Sequence, residues 1–243
     1  MGDQRVVADM VVDCGGGSGG GGHQQLPTVV VTGFGVFRNY KLNPSWECVQ
    51  RLRLKGCHLI VEEIPVVYDE VDKRVANIWT KHKPFLVIHC GVSSIAKCIT
   101  LETKAVRQQR LYDKPDIYGR LPDDGGGRQP MMCADGNSCR QIGSTVEDEC
   151  YDCIECGIDL QKVCNEVNQH FEKGLVRLGA DLSSNAGRFL CEYIYCSSLK
   201  QCTDRTAFIH VPEISDNCPL EDIHSALELT IQTIVNHVMH SHK

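Results

Sequence analysis

Short apolar stretches rich in β-branched residues alternate along this chain with longer stretches in which apolar residues recur at helical spacing. A short continuous apolar run is typical of a buried strand, and helical spacing of apolar residues is typical of a helix packed on one face. The predicted strands cover residues 28–32, 58–64, 85–90, 97–101, 180–183 and 206–211. The predicted helices begin near Pro44 and cover about 68–82, 160–178, 186–199 and 220–240. This alternation predicts an α/β fold with a mainly parallel sheet covered by helices on both faces.

Two parts of the chain lack this alternation. Residues 1–27 contain a glycine tract at 15–22, which cannot bury enough apolar surface to offset its chain entropy, so we expect a flexible extension. A phosphate-binding loop is disfavoured there because the tract precedes the first strand and lacks the Gly-Lys-Ser/Thr ending. The ordered domain is therefore expected at 28–243, with an irregular, cysteine-rich surface excursion at about 106–156.

Composition and charge narrow the class of protein. The chain is 42% hydrophobic and 23% charged, with a formal net charge of −6, so it offers no general attraction to nucleic acid. No uncharged apolar run approaches the roughly 18 residues of a membrane span. The first residues also lack the continuous apolar segment of a signal peptide. We therefore expect a cytoplasmic protein with neither nucleic acid nor membrane as a partner.

The cysteines favour reduced thiols but leave one alternative open. Their number, 15, is odd, and a disulfide framework would normally accompany a secretion signal. Cys150, Cys153 and Cys156 form a C-x2-C-x2-C run with Cys133 and Cys139 upstream, which makes a small structural zinc site a second hypothesis. The hypothesis is the weaker one because no histidine lies near the run and a closed zinc site needs four well-placed ligands.

Four segments with reactive or special residues follow the predicted strands. They are the loop at 33–37, Glu102, the turn at 184–191 and the segment at 210–212. Open α/β sheets bind ligands beyond the carboxyl ends of their strands, so these segments are the candidates for a site.

Three of the candidate residues fit a Cys-His-acid triad. Cys191 falls early in a predicted helix, where the free amides and the dipole favour the thiolate form of a cysteine. His210 ends a strand and is a candidate general base, and Glu102 is a candidate for orienting the imidazole. Taken singly, each residue is more often structural, since most cysteines are buried fillers and a histidine at a strand end is usually a hydrogen-bonded structural residue.

Four motifs in order then point to a family. They read VTGFGVF at 31–37, NPSW at 43–46, TLE at 100–102, and NAGRFLC at 185–191 followed by FIHVP at 208–212. With these motifs the sequence resembles pyroglutamyl-peptidase I, a family of cysteine peptidases, over about residues 28–240.

The resemblance implies a fold and a mechanism. The fold is a single three-layer α/β/α sandwich around a mainly parallel twisted sheet. Cys191 is the nucleophile, His210 shuttles the proton and Glu102 orients His210. The reaction is hydrolysis of the bond after an N-terminal pyroglutamyl residue through a thioester, and it needs no metal or cofactor.

The resemblance also implies a pocket for the lactam ring of pyroglutamate. Phe34 and Phe37 match the two aromatic residues that pack against the ring, and Asn43 matches a polar residue that helps to organise the pocket. Apolar walls with a few directed hydrogen bonds suit a small uncharged ring. Without the resemblance, plain core packing is the simpler interpretation of Phe34 and Phe37.

One departure from the family pattern motivates an alternative function. The segment at 103–110 differs from the glycine-containing stretch expected beside the substrate, whereas Val36, which stands where the family often has proline, bears on loop stiffness and not on the chemistry. The alternative is a catalytically silent relative that binds pyroglutamyl peptides. Peptides with an N-terminal pyroglutamate are the expected partners, and the sequence does not fix the oligomeric state.

Overall fold

The computed structural model describes residues 5–6, 26–37, 41–107, 112–122 and 152–241. Its strands are β1 (Arg5–Val6), β2 (Thr28–Phe34), β3 (His58–Ile64), β4 (Leu86–Val92), β5 (Ile99–Glu102), β6 (Lys104–Arg107), β7 (Asp152–Glu155), β8 (Ala180–Ser183) and β9 (Thr206–Val211). Its helices are α1 (Pro44–Val49), α2 (Tyr68–Asn77), α3 (Leu160–Glu172), α4 (Leu190–Leu199) and α5 (Leu220–Ser241). A π-helical turn, Ile78–His82, continues α2, and a 3-10 turn, Thr203–Arg205, precedes β9.

The central sheet has the strand order β1-β3-β2-β4-β9-β5-β8. Strands β2, β3, β4 and β9 run parallel to one another, which confirms the predicted mainly parallel sheet. Strand β5 runs antiparallel to β9 and parallel to β8, so these two strands run against β2, β3, β4 and β9. A separate antiparallel pair, β6 and β7, lies beside the sheet.

Helices cover both faces of this sheet. Buried residues of α1, α3 and α5 share one apolar cluster with one face of the strands, and buried residues of α2 and α4 form a second cluster on the opposite face. The inner strands are apolar on both faces: Val29, Val30 and Val31 of β2 are fully buried. Burial on both faces is what a parallel sheet between helix layers requires, and the three-layer α/β/α arrangement is confirmed.

The loop after β2 is held by the start of α1. Asn43 is the N-cap of α1 and accepts a hydrogen bond from the Ser45 amide, while its side-chain amide donates to the Gly35 carbonyl at 3.0 Å. The Ser45 hydroxyl in turn accepts from the Phe34 amide at 3.1 Å. Pro44 takes the first helical position, where a missing amide hydrogen costs nothing. The loop that opens at Phe34 is thereby tied to the helix by both of its ends.

Helix boundaries differ most from the sequence prediction where glycine sets the backbone. The helix predicted at 160–178 ends at Glu172, and Gly174 follows with a φ of 69°. The helix predicted from 186 begins only at Leu190, because Gly187 has a φ of 89° and Phe189 is extended. Apolar periodicity continues through such residues and therefore does not show the break.

The ends of the predicted irregular excursion are regular. Strand β6 pairs with β7 from Lys104↔Glu155 to Arg107↔Asp152. Much of the stretch between them, residues 108–111 and 123–151, lies outside the described residues. The described residues contain no helix long and apolar enough to cross a membrane.

The predicted N-terminal extension is described at only one point. Arg5 and Val6 pair antiparallel with Val61 and Ile60 and add β1 to the edge of the sheet. Residues 7–25, including the glycine tract, lie outside the described residues, so their flexibility stays a prediction.

The close approach of β2 to α1 gives a first test. A Cβ on Gly33 would lie 2.7 Å from the Trp46 Cα and 2.9 Å from the Ser45 carbonyl, which are backbone atoms that cannot rotate aside. We predict that Gly33→Ala destabilises the fold by about 1–3 kcal/mol and lowers the melting temperature by roughly 4–10 °C in a calorimetric scan. Ser225→Ala on the exposed side of α5 is the control. Equal melting temperatures for Gly33→Ala and wild type would contradict the packing described.

Candidate active site

His210 and Glu102 meet across the antiparallel pair of strands β5 and β9. Thr100 lies opposite His210 in the register, so Glu102, two residues further along β5, is the diagonal neighbour on the same face. Diagonal neighbours are within reach of long side chains. The His210 Nδ1 and the Glu102 Oε1 lie 2.7 Å apart, and both side chains are buried. The bond to Nδ1 leaves Nε2 of the ring available for chemistry.

Cys191 approaches the same imidazole from the helix layer. It is the second residue of α4, and its thiol interacts electrostatically with the His210 ring. Gly91 of β4 is paired with His210 in the parallel register, and a Cβ on Gly91 would lie 2.7 Å from the Cys191 Sγ. The thiol therefore occupies the space that the missing side chain leaves beside His210.

The three groups act on each other electrostatically. Burial lowers the pKa of His210, but the charge of the Cys191 thiolate and its hydrogen bond, followed by the hydrogen bond and charge of Glu102, raise that pKa from 6.5 to about 9. The protonated ring is favoured below this pH and is lost as the pH rises through it. At neutral pH the His210 ring is therefore favoured in its protonated form, hydrogen-bonded to the Glu102 side chain.

A second buried histidine lies beneath the site but is not part of this arrangement. His89 of β4 is fully buried, and its Nδ1 lies 2.8 Å from the Thr32 hydroxyl. Burial lowers the pKa of His89 to about 3, so its ring is neutral at physiological pH. Its position two residues before Gly91 on the same face of β4 makes it part of the floor under Cys191.

The turn before α4 leaves backbone amides near the thiol. The Asn185 side chain accepts from the Gly187 amide at 3.2 Å, and Gly187 adopts the left-handed backbone that suits glycine. No side chain in the described part of the chain caps the first turn of α4. The first amides of a helix have no partner within it, so those of Leu190 and Cys191 are candidates to hold a developing oxyanion.

Aromatic side chains belong to the apolar cluster that contains Cys191. Phe34 is buried and Phe37 is partly buried, and both belong to the apolar cluster that contains Cys191. The Phe37 and Phe189 ring centroids lie 6.4 Å apart, and Phe189 packs edge-on against Tyr68 with centroids 5.9 Å apart. The apolar cluster around the thiol is therefore rich in aromatic rings, as expected for the lining of a pocket that takes a small uncharged ring.

Asn43 contributes from behind this pocket. Its relative exposure is only 2%, and its three hydrogen bonds all go to the β2–α1 connection. Its position therefore organises the loop that carries Phe34 and Phe37 rather than presenting the amide to the pocket.

The structure thus brings Cys191, His210 and Glu102 together, with Phe34 and Phe37 in the same apolar cluster as Cys191. Asn43 lies apart in the β2–α1 connection, and three further residues join the site. Gly91 gives room to the thiol, and a glycine inside an apolar strand is the sequence signal for such a close approach. Tyr195, one turn after Cys191, donates its hydroxyl to the Glu102 carbonyl at 2.7 Å and ties β5 to α4. Phe189 adds an aromatic wall. Tyr195 and Phe189 carried no sequence signal that separated them from ordinary core residues.

The cysteine run shows no metal site in the described part of the chain. Cys153 on β7 is exposed, while Cys156 is partly buried and donates to the Thr206 carbonyl. No group of three or more His, Cys, Asp or Glu side chains among the described residues is placed to hold a metal ion. Cys133, Cys139 and Cys150 lie outside the described residues.

Comparison with known proteins gives consistent matches. The family model for pyroglutamyl peptidase matches residues 27–129. A Homo sapiens protein named pyroglutamyl-peptidase 1 is 32% identical over 221 residues, which cover 88% of this chain and 92% of that protein. The pyrrolidone-carboxylate peptidase of Enterococcus faecalis is 28% identical over 193 residues, covering 76% of this chain and 78% of that protein. These matches confirm the resemblance that the four motifs indicated.

Solved structures support the same fold. The crystal structure of Bacillus amyloliquefaciens pyroglutamyl peptidase I covers 87% of this chain and 98% of its own, with a TM-score of 0.66 and 24% sequence identity. The pyrrolidone carboxyl peptidase from Thermococcus litoralis covers 89% and 96%, with a TM-score of 0.67 and 20% identity.

The space at Gly91 yields a prediction about the thiol. In Gly91→Ala the new methyl would lie 2.7 Å from the Cys191 Sγ and 3.0 Å from a ring atom of Phe208, so the sulfur must shift away from His210. We expect alkylation of Cys191 by iodoacetamide to slow by about tenfold or more, the scale of a small misplacement at a reacting atom. Peptide mapping measures the rate at Cys191 alone. An unchanged rate in a variant with native melting temperature would contradict the close packing.

The pKa of His210 yields a second prediction. Glu102→Gln removes a charge and weakens a hydrogen bond that raise the pKa of His210, so this pKa should fall from about 9 toward 6.5. The imidazolium would then be lost at lower pH. NMR titration of the ring protons measures the shift. Glu166→Gln, which removes the partner of His237 at 3.0 Å, is the remote control; an equal His210 titration in wild type and Glu102→Gln would contradict the coupling.

Proposed function

The chain belongs to the pyroglutamyl peptidase family, and we propose that it hydrolyses the bond after an N-terminal pyroglutamyl residue with Cys191 as its nucleophile. His210 is the proton shuttle and Glu102 orients it. The observation that supports this assignment most directly is the buried hydrogen bond between the His210 Nδ1 and the Glu102 Oε1, with the Cys191 Sγ in the space left by Gly91, the residue paired with His210.

The reaction is acyl transfer in two steps. The Cys191 thiolate attacks the pyroglutamyl carbonyl carbon, and the amides at the start of α4 hold the oxygen that becomes negative. The His210 imidazolium gives its proton to the leaving amine as the carbon–nitrogen bond breaks, which leaves a thioester. The now neutral His210 then takes a proton from water, the resulting hydroxide attacks the thioester, and the thiolate leaves with its proton partner restored.

The pocket supplies the selection for pyroglutamate. The lactam ring carries no charge, whereas an ordinary N-terminus carries an ammonium group. Aromatic walls formed by Phe34, Phe37 and Phe189 cannot solvate that charge, so its burial is penalised. The proposed substrates are peptides with an N-terminal pyroglutamate, the class that the family name describes.

The free cysteines of the described residues indicate a reducing cellular compartment. All cysteines in the described part of the chain are free, Cys191 among them. A reactive thiolate and many free thiols are kept reduced in the cytoplasm, which we propose as the compartment of this protein.

Turnover of a fluorogenic substrate tests the proposal. Pyroglutamyl-7-amido-4-methylcoumarin should release its fluorophore with wild-type protein, and Cys191→Ala should lower kcat by a factor on the order of 10⁴ or more. Cys153→Ala, which removes an exposed thiol on β7, should match wild type.

Two outcomes would count against the proposal in different ways. If well-folded wild-type protein shows no turnover, the result favours the catalytically silent binding protein over the enzyme. Turnover that survives in Cys191→Ala would move the nucleophile to another residue.

A further inference from the structure

A buried carboxylate lies directly after the nucleophile in the sequence. Glu192 is the third residue of α4 and its relative exposure is only 1%, yet the proposed chemistry does not use it. A buried carboxylate is costly unless it is paired and hydrogen-bonded. The partners of Glu192 therefore show what it holds in place.

The first partner is the turn before Cys191. One guanidinium nitrogen of Arg188, Nη1, lies 2.9 Å and 3.1 Å from the two carboxylate oxygens of Glu192. The same nitrogen donates to the Gly187 carbonyl at 2.7 Å. The ion pair thus braces the left-handed turn at Gly187 against the first turn of α4, where the candidate oxyanion amides lie.

The second partner is the strand that follows Glu102. The Val106 amide of β6 donates to the Glu192 Oε1 at 3.1 Å. Strand β6 starts two residues after Glu102, and it belongs to the segment in which the sequence departs from the family pattern. A single carboxylate oxygen therefore joins this segment to the helix of the nucleophile.

The electrostatic surroundings of Glu192 agree with this role. Burial raises the pKa of the Glu192 carboxyl, and the Val106 amide and Arg188 oppose that rise. Tyr112 packs edge-on against Tyr68 and Tyr193, with ring centroids 6.1 Å and 5.7 Å apart. The residues on both sides of 108–111 are thus held against α4 and the aromatic cluster.

We propose that Glu192 is a positioning residue that locks the turn before Cys191, through Arg188, to the substrate-bordering strand β6, through the Val106 amide. The inference rests on the proposed peptidase activity. Loss of this lock displaces the amides that face the oxyanion, which lowers kcat, and loosens the border of the pocket, which raises KM.

The Glu192 variants separate the hydrogen bonds from the charge. Glu192→Ala removes both partners, and we expect kcat/KM for the coumarin substrate to fall about 10- to 100-fold, with changes in both kcat and KM. Glu192→Gln keeps an oxygen that can accept from Val106 and Arg188, so its kcat/KM should stay within about fivefold of wild type.

The Arg188 variants test the ion pair. Arg188→Met removes the brace between the Gly187 carbonyl and the Glu192 carboxylate, and kcat should fall by about tenfold. The double variant Arg188→Met/Glu192→Gln lacks the same brace, so its kcat should stay within about twofold of that of Arg188→Met. Arg74→Met, which removes the i,i+4 partner of Glu70 on α2, is the matched control and should leave kcat and KM unchanged.

Melting temperatures and kinetics together decide the question. A purely structural role would lower the melting temperature of Glu192→Ala while kcat and KM, measured well below it, stay within twofold of wild type, and this result would overturn the proposal. Should Glu192→Ala not fold, values of kcat and KM for Arg188→Met within twofold of wild type would overturn it. Failure of wild type to turn over the substrate would instead refute the proposed function.

Discussion

The site depends on the buried hydrogen bond between the His210 Nδ1 and the Glu102 Oε1. It spans 2.7 Å between two side chains that are almost fully excluded from water. In such surroundings a lone carboxylate or imidazolium would be strongly penalised, so each group requires the other. The bond also fixes the orientation of the imidazole ring and leaves its second nitrogen, Nε2, available for chemistry. The antiparallel pairing of β5 with β9 makes this contact possible, because it sets Glu102 diagonally opposite His210.

The position of the proposed nucleophile, Cys191, depends on a second constraint, the space beside Gly91. Cys191 enters from a helix that crosses the sheet, and the sulfur reaches His210 only because Gly91 presents no side chain. Tyr195 then ties the same helix to the end of β5 through the Glu102 carbonyl. Strand, helix and triad are therefore mutually fixed, and a sub-ångström shift at Gly91 or Glu102 is transmitted directly to the reacting sulfur.

Much of this could be predicted from the sequence, and the remainder has physical causes. Strands such as 58–64 and 206–211 appear at the predicted bounds because their apolar runs end at turn residues. Strand direction has no such signal: the sequence suggested one shared carboxyl edge, but β5 and β8 run against β2, β3, β4 and β9. Glu102 consequently reaches His210 diagonally across the antiparallel pair of β5 and β9. Likewise, periodicity placed the start of α4 four residues early, since it does not register the left-handed Gly187.

The roles of the site residues came from motif resemblance, whereas their mutual support could come only from coordinates. Nothing in the spacing of Arg188, Glu192 and Val106 distinguishes a lock from an ordinary helical ion pair, since the third partner is a backbone amide more than 80 positions away in the chain. The separation |i−j| of 86 residues is set by tertiary packing alone.

Trapping the covalent intermediate tests directly whether Cys191 is the nucleophile. Wild-type protein is mixed with a pyroglutamyl substrate, quenched in acid within milliseconds, digested and examined by mass spectrometry. The thioester mechanism predicts a pyroglutamyl group on the peptide that contains Cys191, and this group should disappear once the substrate is exhausted. A pyroglutamyl adduct on a different residue, or turnover with no protein adduct at any quench time, would contradict it.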